Sequence, residues 1–169
     1  RIEAELIRDS ALQMSGLLSP KIGGPSVFPP QPPGVSTEGA YGGLSWTVSE
    51  GDDRYRRGLY TFTKRTAPYA MFATFDAPSG EACVPRRDVT NTPLQALTIL
   101  NDTVFVEASR KLGVSAAAET GTADEKLARL FRRILTRDPS QEETAALSSY
   151  FQQQMDRLSK GDLDSGKLT

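Results

Sequence analysis

Thr92-Pro93-Leu94-Gln95 is a helix start written three ways, and it fixes the frame in which the rest of the chain must fold. Threonine is a preferred N-cap, proline at the first helical position gives up an N–H that has no partner there, and glutamine at the third can reach back to the cap. The same logic recurs at Thr122-Ala123-Asp124-Glu125 and at Ser140-Gln141-Glu142-Glu143, so two further helix beginnings are set before any periodicity is read. Behind Thr92, apolar residues at Leu94, Leu97, Ile99, Leu100, Val104, Phe105, Val106 and Ala108 recur at helical spacing over about four turns, which predicts one long helix with a buried face. SAAAETG after Gly113 then reads as a small-residue linker. Leu127, Leu130, Phe131, Ile134 and Leu135 form one apolar face beyond it, and Leu147, Tyr150, Phe151, Met155 and Leu158 form another. Together they predict an antiparallel hairpin docked on itself and on the long helix.

Residues 1–18 carry Ile7, Ala11, Met14 and Leu18 on one helical stripe, widened by Ile2, Leu6 and Leu17, and Ser19-Pro20 is the expected stop. Residues 20–45 contain Gly23-Gly24-Pro25, Pro29-Pro30 and Pro32-Pro33-Gly34, a composition that excludes helix and central strand. They predict a strap laid across the helices by Val27 and Phe28, with a flexible piece at Gly39–Gly43 around Tyr41. Trp46-Thr47-Val48-Ser49 reads as a short strand and Glu50-Gly51-Asp52-Asp53 as a turn. The run DRYRRGLYTFTKR from Asp53 spaces Tyr55, Leu59 and Phe62 for a helix, while Gly58, Thr61 and Thr63 leave strand open. Pro68 ends it, and Tyr69–Phe75 reads as a short buried helix. The tail DLDSGKLT lacks the glycine and closing glutamate of a calcium loop and reads as a disordered end.

The fold class expected is therefore all-α: an irregular helical bundle with a long Pro/Gly-rich strap and a C-terminal helical hairpin. Residues 1–113 form the helical core and 121–160 the hairpin packed on it, one domain overall. With 20 basic against 21 acidic residues the net charge is -1, which gives nucleic acid or an anionic membrane surface no electrostatic hold. No apolar run approaches the length of a membrane span. The start at Arg1, without methionine and inside a helical pattern, is that of a piece of something longer.

There is no histidine and one cysteine, so the commonest general base, the commonest metal ligand and any multi-thiolate zinc site are all missing from this segment. No metal site, haem ligand set or catalytic residue is assigned. Arg86 and Arg87 have two readings: an anion clamp aided by the helix N–H groups after Thr92 and by Gln95, or ties to carboxylates such as Asp76, Asp88, Glu5 or Asp9. The second is the expected one. Glu5 and Asp9 lie one turn apart with Arg8 beside them; an acid/base pair is conceivable there, but a structural polar network of Glu5, Arg8, Asp9 and Asp76 is preferred. Cys83 is expected buried or in a mixed disulfide rather than nucleophilic. The cations of residues 54–65, interleaved with aromatics, are read as a solvated helix face rather than a single-strand nucleic-acid platform.

Taken together, RIEAELIRDSALQMSG, GGPSVFPP, YRRGLYTFTKR, FDAPSGEACVPRR, TNTPLQALTILND and LFRRILTRDPSQEE resemble the planctomycete-specific domain of unknown function at the C-terminal end of proteins that carry cytochrome c modules. The segment resembles the second half of that domain. The resemblance implies export to the periplasm or beyond, an upstream half of the same protein as partner, haem only in other domains, and for Cys83 a disulfide to a cysteine outside the segment. It leaves two functions open: a non-catalytic scaffold that holds a polysaccharide or a redox domain, or part of a hydrolase acting on a polysaccharide that can be sulfated. The expected balance is toward no catalysis in this segment.

Overall fold

The computed structural model describes residues 2–32, 46–65, 67–80 and 82–163. The Gly39–Gly43 piece, the end of the strap and most of the tail lie outside them. The fold is all-α: six helices, two short 3-10 turns and two isolated bridges, with no strand among the described residues. The chain divides into two compact units, Arg1–Lys111 and Leu112–Thr169.

In the first unit, helix α1 (Ala4–Ser15) ends at Gly16, whose φ of 76° turns the chain before the predicted stop at Ser19-Pro20. Its buried residues are Ala4, Arg8, Asp9, Leu12 and Ser15, while Ile7 and Ala11 of the expected stripe are partly buried against the core. Ile2 and Leu6 stay exposed. The stripe rotates because Arg8 has main-chain acceptors to reach on the inside, and burial of a guanidinium follows its hydrogen bonds.

Those acceptors belong to residues 53–65, which form no helix. They fold as 3-10 turns Gly51–Tyr55 and Gly58–Tyr60 with parallel bridges Ser19↔Arg56 and Val27↔Thr61 on either side. Gly58 decides the matter. A Cβ there would sit 3.0 Å from Glu5 Cβ and 3.1 Å from Glu5 Cα, so the backbone passes against α1 where a helical side chain has no room. The strap is sewn to this segment: Val27 N–H donates to Tyr60 O and Phe62 N–H to Val27 O, each at 2.8 Å. Phe28 stacks on Phe62 at 4.9 Å and meets the edge of Trp46 at 5.2 Å. Trp46–Ser49 is not the strand expected: Ser49 N–H donates to Phe28 O at 2.9 Å and Phe28 N–H to Ser49 Oγ at 3.0 Å, with no strand among the described residues.

Helix α2 (Ala70–Thr74) is the short buried helix expected and supplies Met71 and Phe72 to a core with Ala4, Tyr69, Phe75 and Phe105. Thr92 caps α3 (Pro93–Asn101) with both arms of the capping box made. The long helix stops at Asp102, whose ψ of 136° breaks it and whose Oδ1 accepts from Val104 N–H at 2.9 Å to start α4 (Thr103–Ala118). Val104, Phe105 and Ala108 are buried as expected. Leu94, Leu97, Ile99 and Leu100 are not; they are 47–71 % exposed, and the one buried side chain of α3 is Gln95.

In the second unit, α4 runs on through part of the expected linker. The capping boxes at Thr122 and Ser140 start α5 (Ala123–Leu135) and α6 (Gln141–Ser159), which pack on each other as a hairpin, though neither helix buries a residue fully and Ile134, Leu135, Tyr150, Phe151 and Met155 of the expected faces stay exposed. Ser148 donates to Asp124 across it, and the Arg137 guanidinium lies 4.9 Å over the Phe131 ring. The fork from Arg137 and the Ser140 N–H hold the exposed Glu143 carboxyl down at about 2.

Candidate functional site

Of the predicted site residues, Glu5, Asp9 and Arg87 meet at one cleft in the first unit, about 580 Å³ in volume, walled by α1, the turn at Gly58, α2 and the loop that follows it. Its charged lining is Glu3, Glu5, Asp9, Arg57 and Arg87, and Leu59, Phe72 and Pro78 give apolar wall. Each carboxylate of α1 is taken up. Arg87 forks onto Glu5 with Nη1–Oε2 at 2.7 Å and Nη2–Oε1 at 3.2 Å, and its Nε lies 3.8 Å from Glu3. Burial raises the Glu5 carboxyl, but the Arg87 fork and its charge outweigh that and hold it below its ordinary value.

Asp9 accepts from Gly58 N–H at 2.6 Å, with Arg57 Nε at 3.7 Å and Arg8 Nη1 at 3.8 Å. Arg8 itself is fully buried beneath the cleft and donates to Arg56 O at 2.6 Å and Arg54 O at 3.0 Å. Burial lowers its pKa; Tyr69, Asp9 and Asp102 act against that. Burial likewise raises the Tyr69 phenol, whose hydroxyl donates to Pro30 O at 3.1 Å.

Asp76 accepts from Thr90 through N–H at 2.8 Å and Oγ1 at 2.9 Å, and Gln95 Nε2 donates to Thr90 Oγ1 at 2.9 Å and Thr74 O at 3.0 Å. Thr92 and Gln95 thus serve the helix start and the loop. Arg86 is exposed and makes no ion pair among the described residues. Of the pair, Arg87 ties to Glu5 and Arg86 faces solvent. Cys83 is exposed and free, where a buried position was one of the two expectations.

The sequence reading missed Arg56, Arg57, Gly58 and Tyr69. Gly58 carried a usable signal, a glycine amid aromatics that marks close backbone approach. Arg56 carried none, because a run of cations reads as solvated until the chain path is known. It is fully buried, stacked 3.8 Å over the Tyr60 ring and bonded to Pro25 O at 3.0 Å. Arg54 pairs with Glu107, Nε–Oε2 at 3.2 Å. Two of the basic residues assigned to a solvated face are in fact internal ties.

The Glu5 fork has a pH signature. The folded pKa lies below the unfolded one, so its stabilisation is present above about 4.5 and is lost as pH falls through the folded value. In thermal melts at successive pH values, wild type should exceed Glu5→Gln at neutrality, and the gap should close below about 4.5. A gap independent of pH would show that Glu5 acts through packing alone.

A family model matches residues 1–151, that of PSD1, protein of unknown function (DUF1553). No curated protein and no solved structure matches. Among the described residues no helix is long and apolar enough to cross a membrane.

Proposed function

The chain belongs to the PSD1 family of proteins of unknown function (DUF1553), and on that premise we propose that it is a non-catalytic helical scaffold and interaction module of an exported, cytochrome c-associated protein. The observation that carries this reading is the inverted α3. Its nine residues include no charge, its polar Gln95 is turned in, and Leu94, Leu97 and Leu100, spaced three apart, are turned out. A helix of this kind is half of an apolar contact. The partner is the upstream half of the same polypeptide, which covers the leucine stripe while the 580 Å³ cleft stays open to a polysaccharide or a redox domain.

A hydrolase acting on polysaccharide would need two carboxyl groups free to exchange protons and facing one substrate. The pairing of Glu5 with Arg87 and of Asp9 with Gly58 N–H weighs against that alternative.

The test is alkylation of Leu97→Cys in a Cys83→Ser background, with and without the upstream half of the polypeptide. Cover by that half should slow the reaction by about tenfold or more, the factor that about 1.4 kcal/mol of protection supplies. An unchanged rate would remove the scaffold reading. Release of reducing ends from carrageenan, abolished by Glu5→Gln or Asp9→Asn, would establish the hydrolase in its place.

A further inference from the structure

We propose that residues 82–89 form a releasable flap that reaches the cleft through Arg87 and is held against α1 by the Glu5–Arg87 fork. Every residue from Ala82 to Val89 is exposed except Arg87, and the apolar members, Val84 and Val89, are 53 % and 63 % exposed. No hydrophobic burial holds this stretch down. Within it Arg87 alone makes hydrogen bonds or ion pairs among the described residues, and those go to Glu5 and Glu3.

Both ends are fixed independently of the fork. On one side Asp76, six residues before the flap, is tied to Thr90. On the other, Thr90 and the Thr92 cap are locked through Gln95 to Thr74 O. A segment pinned at both ends and tethered at one interior point is a two-position element, and the tether is electrostatic. Because Arg87 and Glu5 both line the cleft, breaking the fork draws Arg87 off the wall and bares the Glu5 carboxylate to whatever occupies the space. The inference stands on the fork and the exposure of the segment, and does not depend on the scaffold reading.

The only cysteine of the chain, Cys83, lies in the flap and is exposed, so a nitroxide can be attached without mutation. In the intact 169-residue chain, Glu5→Gln should raise nitroxide mobility, and Arg87→Gln should raise it equally. Added salt should loosen the wild-type flap more than it loosens Glu5→Gln, where only the longer Arg87–Glu3 contact at 3.8 Å is left to screen. Trypsin should cut after Arg86 and Arg87 about tenfold faster in Glu5→Gln, with the cut after Arg133 unchanged as internal control. Equal mobility in wild type and both variants, or a salt response in Glu5→Gln as large as that of wild type, overturns the flap. So does loss of helical circular dichroism in both variants, since the fork would then belong to the core and not to a movable segment.

Discussion

Replacing Arg8 by methionine is expected to lower the unfolding free energy by about 3–5 kcal/mol, read as a drop in urea midpoint at unchanged slope. The magnitude follows from what is left behind. Arg8 is fully buried, and its two terminal nitrogens serve the carbonyls of Arg56 and Arg54 at 2.6 and 3.0 Å while standing 3.8 Å from Asp9. A buried ion pair can often be replaced whole by apolar side chains with no loss, because both charges leave together. Here the acceptors are main-chain carbonyls that no substitution removes, so methionine fills the volume and leaves two oxygens and a carboxylate without this donor. Arg8→Lys should recover little, since one ammonium cannot reproduce the planar fork that reaches both carbonyls. A loss below about 1 kcal/mol would mean that the segment 54–56 is held to α1 by packing alone.

The elements that the sequence made legible are those whose signals are local. Thr92, Thr122 and Ser140 each cap the helix they announce, because a capping box closes within four residues and needs nothing from the rest of the chain. The strap was legible for the same reason: proline and glycine restrict the backbone wherever they stand. What stayed hidden depends on which surfaces meet. The periodicity of α3 is real, but periodicity says only that a stripe is apolar, not that this chain covers it. Asn101-Asp102-Thr103 offered a cap signal that the apolar run masked, and Asp102 breaks the helix there.

The candidate site divides along the same line. The tie between an arginine of the 86–87 pair and an acid of α1 was foreseen as a type, while its partners, Arg87 with Glu5, required the chain path. Arg8 and Arg56 were invisible because charged residues are read as surface groups, and only nearby carbonyls of irregular chain make burial of a guanidinium favourable. Irregular backbone is what the Pro/Gly strap and the 3-10 turns provide. Two buried arginines therefore follow from the absence of regular structure between α1 and α2: unpaired carbonyls in those segments must find donors, and guanidinium groups carry five each.

That argument yields the second large effect. Arg56→Ala is expected to cost about 2–4 kcal/mol and, unlike Arg8→Met, to detach one segment preferentially. The Arg56 guanidinium gathers the carbonyls of Lys21, Gly23 and Pro25 and lies 3.8 Å over the Tyr60 ring, so it holds the beginning of the strap against the 3-10 turns. Alanine removes the shared donor, strands those oxygens and withdraws the cation–π contact together. Hydrogen exchange should report the consequence at the amides of Val27 and Phe28, which bond to Tyr60 O and Ser49 Oγ and depend on the strap staying in place. Their protection should fall by roughly thirtyfold to several hundredfold, as about 2–4 kcal/mol requires when opening is local, while amides of α5 and α6 keep theirs. Arg56→Lys should resemble alanine more than wild type, because the bonds fan out to residues on both sides of Gly24. Unchanged exchange at Val27 in Arg56→Ala would show that the aromatic contacts of Phe28 with Phe62 and Trp46 suffice to hold the strap, and that the buried guanidinium is tolerated rather than required.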